Sequence, residues 1–573
     1  MSVPHRGGNR ISRSAPLLAG AAVALIAAAA LLAIHHGPRP AVPRALAIHT
    51  ALNAPAARQA LSGRHWTSVR AEPLDSTIER VSFFTGPRIA ADVLVQRAAR
   101  PGAVVGAQVI QAVDVRALRT PYGNWLAYQP ALLITLSFMF VLTTGVTPWR
   151  RLRNLDVAVA LSLLSSVVLF QYRYIDASIV LAAGALAYLG LRCAHRALGP
   201  PSASLPSTPL LTAMTPGWDP GLRVRWMRIA LVVLALVIVM VGVGSPSAVD
   251  VLYAAMEGAT RLIHGWLPYG HMPPGIVHGD TYPILTYALY APLAALAPVN
   301  STWDSVDAGL AVAAMAALAG GWAVFRTDAG PRRRGGQSRS IVQEEAGLRA
   351  ALAWLTFPPL LAVISTGTTD VVLAAMVAGA LLLWRRPTAC SAMLAAAGWF
   401  KLAPFALLPV CLAPLRGRRL AAAVTAIGAV SAPLVGLLLV LGGTHGLEAM
   451  LHAMSYQFSR GAEQSIWGAL RIEALQPIGQ ACVLGLITAA VVRLQQAREL
   501  TRDRARMAAL ATAILIGLQL AADYWAFLYL VWIAPALCAS LLADQQTREL
   551  GTEPVVEASA LSSRPTLVGA VQG

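Results

Sequence analysis

Long apolar runs recur along this chain and constrain its fold more than any other feature. "PALLITLSFMFVLTTGV" from residue 130 and "IALVVLALVIVMVGVG" from residue 229 are two of them. A helix that crosses a bilayer needs roughly 20 mostly apolar residues, and about twelve stretches approach that, some of them short. Inside hydrocarbon every backbone N–H and C=O needs a partner within its own segment, so these runs are expected to be helices. The expected fold is all-α: a polytopic transmembrane bundle of about twelve spans, with re-entrant or interfacial segments between them. The composition agrees, at 56% hydrophobic and 13% charged residues with a mean hydropathy of +0.60.

The net charge of +18 belongs with this picture. Arginines gather in short loops beside apolar runs, as the positive-inside bias requires. No basic patch is interleaved with aromatics in the manner of a nucleic-acid binder, so no nucleic-acid partner is expected. Of the 45 basic residues, 44 are arginine and one, Lys401, is lysine. With the abundant alanine, this points to a GC-rich bacterial genome and a plasma-membrane protein. The five cysteines form no CxxC pair, so neither a metal site nor a disulfide framework is indicated.

Topology follows by parity. Residues 17–34 are expected to be a first span with a cytoplasmic N-terminus. Residues 36–129 make a long soluble segment without a span. The run from 130 leads to "WRRLRN", which is basic and therefore cytoplasmic. Residues 155–170 and 175–191 form an outward hairpin, and helix 227–244 delivers Asp250 to the outer face. Residues 282–298 read as a re-entrant or interfacial segment, and 391–413 as one that enters the membrane and turns back; Lys401 and Pro404 sit near the turn of the second. Helix 419–441 is followed by a polar outer loop over 442–473. The reading divides the chain into an N-terminal membrane module (1–226), a catalytic membrane core (227–543) and a polar tail (544–573).

The polar residues that carry chemistry collect on the outer side. Asp250 starts an amphipathic stretch, "DVLYAAMEGATRLIHGW", and has two readings: a helix cap, which Asp does well, or a functional carboxylate. A loop rich in Gly, Pro and aromatics follows, with Tyr269, His271, His278, Asp280 and Tyr282. Asp280 in "HGDTYP" suits a turn as well as a site, and His271 and His278 make a weak metal pattern. Lys401 lies within "GWFKLAPFALLPV", where an ionisable side chain marks a functional site unless it snorkels to an interface. The last cluster, "QFSRGAEQSIWGAL", holds Arg460, Glu463, Gln464 and Trp467.

An acid, two cations, an amide and aromatics on one face of a helical bundle suit sugar transfer from a lipid phosphate. A carboxylate takes the acceptor hydroxyl's proton, and cations meet the charge of the departing phosphate. Aromatics such as Tyr269, Tyr282 and Trp467 stack on sugar faces. No metal or organic cofactor is required. A transporter or lipid flippase is the competing reading, since it would use a broken helix near the midplane; no internal repeat supports it. A membrane scaffold would need neither the lone lysine nor the HGDTYP loop.

Over about residues 227–543 the pieces "SAVDVLYAAMEGATRLIHGWLPYG", "HGDTYPILTYALYAP", "GTTDVVLAAMVAGALLLWRRP", "GWFKLAPFALLPV", "QFSRGAEQSIWGAL" and "DYWAFLYLVWIAPAL" follow one another. In that order they resemble the GT-C-type glycosyltransferases of bacterial membranes, in particular the polyprenol-phosphate-mannose-dependent mannosyltransferases. The resemblance implies a lipid-phosphate sugar donor, a glycolipid or glycan acceptor and a catalytic base at Asp250. It implies, less directly, that Lys401 and Arg460 meet the lipid phosphate. Relatives often carry a second acid after the first; here that position is Val251, leaving Asp280 or His278 as helpers. The usual pattern places the base after the first helix, whereas here residues 1–226 precede it.

Overall fold

The computed structural model describes residues 42–549, except 63–64, 74–77, 87, 99–105, 115–123, 200–206, 246–247, 273–275, 277, 298–304, 330–336 and 463. The expected span at 17–34 and most of the polar tail lie outside these residues.

The chain opens with a small extrinsic unit. Helices α1 (Arg44–Asn53) and α2 (Pro55–Leu61) precede strands β1 (Ser68–Pro73), β2 (Ile78–Thr85), β3 (Arg88–Ala98) and β4 (Gly106–Asp114). The strands form one antiparallel sheet in the order β1-β2-β3-β4. Alternation fixes its faces. Ala71, Val81, Phe83, Ala91, Val93 and Val95 share one face and pack with Val42, Ala47, Ala51 and Ala57 of the helical segment. Arg70, Arg80, Ser82 and Asp92 occupy the other. Among the described residues of 36–129 no helix is long and apolar enough to cross a membrane, and the sheet departs from an all-α chain. Period-two patterning in "IERVSFFT" and "IAADVLVQ" is the signal that specifies it.

Apart from a short antiparallel pairing of Val146–Thr147 with Thr208–Pro209, the rest is mainly helical: α3 (Pro130–Thr144), α4 (Leu152–Gln171), α5 (Ile175–Leu198), α6 (Pro220–Val243), α7 (Asp250–Ile263), α8 (Ile284–Leu296), α9 (Ser305–Ala329), α10 (Gln337–Leu355) and α11 (Pro358–Ser365). Then come α12 (Asp370–Leu382), α13 (Pro387–Phe400), α14 (Leu408–Leu412), α15 (Gly417–Ser459), α16 (Gln476–Gln496), α17 (Arg504–Ala521) and α18 (Leu530–Glu549). Among the described residues, seven helices are long and apolar enough to cross a membrane, or eight with the bent pair α10–α11. Five shorter apolar helices account for other runs, so the count is below the dozen expected. The outward sides of α6 and α15 remain apolar and uncovered, with Val232, Leu236, Met240 and Val440 exposed. In water such a surface would associate; lipid is its natural solvent.

Two expectations for the core are modified. The helix expected to end at 441 breaks at Gly443 (φ 58°, ψ −150°) and resumes as far as Ser459, so part of the expected loop is helical. Only glycine adopts that conformation without strain. The last helix likewise passes the expected limit at 543 and reaches Glu549.

The segment around Lys401 does turn back. Helix α13 ends at Phe400, and Lys401 is extended (φ −147°, ψ 141°). A short 3-10 turn and α14 then return alongside α13. Gly398 packs directly under the Phe405 ring, and Cys411 comes within 3.6 Å of Cys390 near the start of α13.

The two ends of the bundle differ in charge. At one, Arg192 pairs with Asp156 (3.0 Å), Arg223 with Glu345 (3.2 Å), and Arg506 donates to the Gly199 carbonyl (2.9 Å). The other end carries the aspartates, tyrosines and lone lysine described below. The sheet unit sits at this second end: Arg70 approaches Asp176, at the α4–α5 turn, to 3.8 Å.

Candidate active site

Two backbone strands of the site are stitched together before any side chain is considered. Between α6 and α7, Ser245 Oγ donates to the Ser365 carbonyl (2.5 Å) and the Val249 N–H to that of Thr366 (3.0 Å). Asp250 therefore begins α7 beside the "STGTTD" turn that carries Asp370. Gly367 makes this turn possible. Its φ is +67°, and an added Cβ would lie 2.6 Å from Leu310 and 2.8 Å from Leu252.

Asp250 is the first residue of its helix, and its Oδ1 accepts from the Val251 N–H (2.8 Å). The side chain is open to solvent on one side. Surrounding protein still raises its pKa above the ordinary carboxylate value, by desolvation first; Asp370 adds to the rise, whereas the Val251 N–H, Lys401 and Arg80 oppose it. The buried face of α7 (Leu252, Ala255, Met256, Ala259) confirms the amphipathic pattern.

Lys401 and Asp370 meet because two short helices match in length. Helix α12 has 13 residues and α13 has 14, joined by the tight turn at Arg385 and Arg386. Each spans about 20 Å, so the start of one and the end of the other fall at the same level. Lys401 Nζ lies 2.6 Å from Asp370 Oδ1, with the two residues 6% and 0% exposed. The carboxylate also accepts from Trp532 Nε1 (2.6 Å) and from the Thr368 hydroxyl. The Tyr282, Tyr529 and Trp532 rings surround the ammonium at 5.4–5.8 Å from Nζ to centroid. A cation over ring faces is favoured electrostatically.

A second cation continues this wall. The Arg460 guanidinium stacks on Tyr524, 4.0 Å from the ring centroid, and lies 5.9 Å from that of Tyr456. Tyr529 stacks on Trp532 with centroids 4.3 Å apart. His278, at a positive φ of 55°, lies flat on Tyr456 at 3.9 Å. Gln457 donates to Thr281 (3.0 Å), which ties the HGDTYP loop to the end of α15.

Among the residues expected at the site, Asp250, Tyr282, Lys401, Arg460 and His278 thus line one region. Others serve its framework. Asp280 Oδ2 accepts the Gly270 N–H (2.8 Å), and the Tyr269 hydroxyl donates to the Tyr282 carbonyl (3.1 Å). The Gln464 carbonyl accepts from the Trp525 N–H, and Trp467 Nε1 donates to the Leu520 carbonyl (2.9 Å). Glu463 lies outside the described residues. Sequence reasoning missed Asp370, Thr368, Tyr529 and Trp532 as site residues. The available signal was an aspartate opening one short apolar helix and a lysine closing the next.

Residues 281–522 match the model of glycosyltransferase family 87. No curated protein and no solved structure matches the chain. The family match supports a membrane glycosyltransferase. Tyr282, Asp370, Lys401 and Arg460 fall inside the matched stretch, and Asp250 precedes it. Nothing favours the transporter reading.

Proposed function

We propose that the protein moves a hexose, mannose in the first instance, from a polyprenyl-phosphate donor to a hydroxyl of a glycolipid or glycan acceptor. The observation that carries this reading is the pairing of roles at one end of the bundle. Asp250 is open to solvent, whereas Asp370 is sealed and saturated by Lys401, Trp532 and Thr368. Asp250 is thus the carboxylate free to act as a base.

The acceptor oxygen attacks the anomeric carbon and its proton passes to Asp250. The bond from that carbon to the phosphate oxygen breaks, and the electron pair leaves with the lipid phosphate. Lys401 and Arg460 stabilise the charge that develops there. Attack opposite the leaving group, with inversion, is what the resemblance to GT-C-type enzymes implies. Tyr282 and the neighbouring rings stack on sugar faces, with His278, Tyr269, Gln464 and Trp467 shaping the walls. Asp280 and His278 are the nearest candidates for a helper role.

The arginine-rich end is assigned to the cytoplasm of a bacterial plasma membrane, which sets the site on the outer face. Membranes containing the protein, incubated with labelled polyprenyl-phosphate sugars, should yield a labelled glycolipid or glycan. Loss of that product in Asp250→Asn, at equal membrane expression, tests the base; full activity in the variant would rule it out.

A further inference from the structure

Asp370 is fully buried, and its oxygens accept from three donors: Lys401 Nζ, Trp532 Nε1 and the Thr368 hydroxyl. A carboxylate held this way has little freedom. It stands at the start of α12, and Lys401 stands just past the end of α13, so each charge lies where its helix dipole favours it. A lysine stem is long and flexible, and an unanchored ammonium in an apolar segment turns toward water. Stability alone does not explain the pair, because apolar replacements of buried ion pairs are often as stable. One bond to Asp370 also leaves donor capacity on an ammonium that has three N–H groups.

We propose that Asp370 is a positioning residue, anchoring Lys401 among Tyr282, Tyr529 and Trp532 where the donor's phosphate arrives. This rests on the lipid-phosphate reading above and assigns the work of holding its cation to a residue outside the expected site. Asp370 itself takes no part in proton transfer.

Lys401 is the chain's only lysine, so amine-directed labelling of the full-length protein, read by mass spectrometry on the peptide containing it, reports on its anchoring. Asp370→Asn is expected to label roughly tenfold faster and to raise the donor KM by roughly tenfold or more. Asp370→Glu keeps the charge but displaces it by one methylene. It should label as slowly as wild type while donor KM rises several-fold and kcat is retained. Unchanged labelling and KM in Asp370→Asn would overturn the proposal. So would a lower donor KM, because Asp370 would then be competing with the phosphate. If the Asn variant fails to accumulate, a wild-type donor KM in Asp370→Glu overturns it equally. A wild-type protein that transfers no sugar and is not protected from labelling by polyprenyl phosphate contradicts the lipid-phosphate reading. The labelling contrast between wild type and variant decides the anchoring in either case.

Discussion

The Val249 N–H donates to the Thr366 carbonyl at 3.0 Å, and this bond sets two aspartates near one another in opposite states. One residue on, Asp250 is open; four residues on from Thr366, Asp370 is sealed. On this contrast between a solvated carboxylate and a locked ion pair rests the proposed division between base and electrostatic stabiliser.

Asp250→Asn should reduce sugar transfer by about 10²–10⁴-fold, the usual contribution of a positioned base. It should not destabilise the fold. Desolvation raises the Asp250 pKa, so its ionisation opposes folding, and that penalty is present above the raised value. The amide variant is expected to melt at or above the wild-type temperature at neutral pH. A large loss of thermal stability would show that the carboxylate has a structural role instead.

Transfer should fall as pH drops through the raised Asp250 pKa, because the base must be unprotonated. Arg80 lowers that pKa. Arg80→Ala should therefore move the acidic limb of the kcat/KM profile to higher pH, leaving the plateau in place. A limb that stays put would separate the sheet unit electrostatically from Asp250.

Gly367→Ala should destabilise the protein by about 1–3 kcal/mol or more, since a positive φ is strained for any residue with a Cβ. The new methyl would also press on Leu310 and Leu252. Thermal unfolding measures the cost. Activity is expected to fall in parallel, because this turn carries Asp370.

Lys401→Ala leaves Asp370 buried without its cation and should cost about 3–5 kcal/mol. The double variant Lys401→Met, Asp370→Asn removes both charges and should recover most of that stability, but not donor use. Lys401→Arg is expected to lose activity too, since a planar guanidinium does not replace a compact ammonium against one carboxylate oxygen. An arginine variant as active as wild type would remove the reason for lysine here.

Much of the fold is legible from local pattern. Apolar runs partition into lipid wherever they lie in the chain, and basic loops sort to one side by charge, so the helical bundle and its polar end follow from sequence. The reversal near Lys401 is also readable, because two basic flanks bracket one apolar segment. The amphipathic face of α7 is set by its own residues. The sheet at 68–114 was equally encoded, by period-two alternation, but it is short and easily overlooked beside so many helices.

Tertiary structure decided the partners. Lys401 stands out as a lone lysine in sequence, yet its carboxylate lies 31 residues away and the indole that shares it comes from a helix 162 residues beyond Asp370. Those meetings depend on matched helix lengths and on which helices pack side by side. Hydropathy reports the solvent of each segment and is silent about its neighbours. The same limit applies to Arg70 and Asp176, and to Arg460 and Tyr524: each residue is visible alone, and only packing joins them.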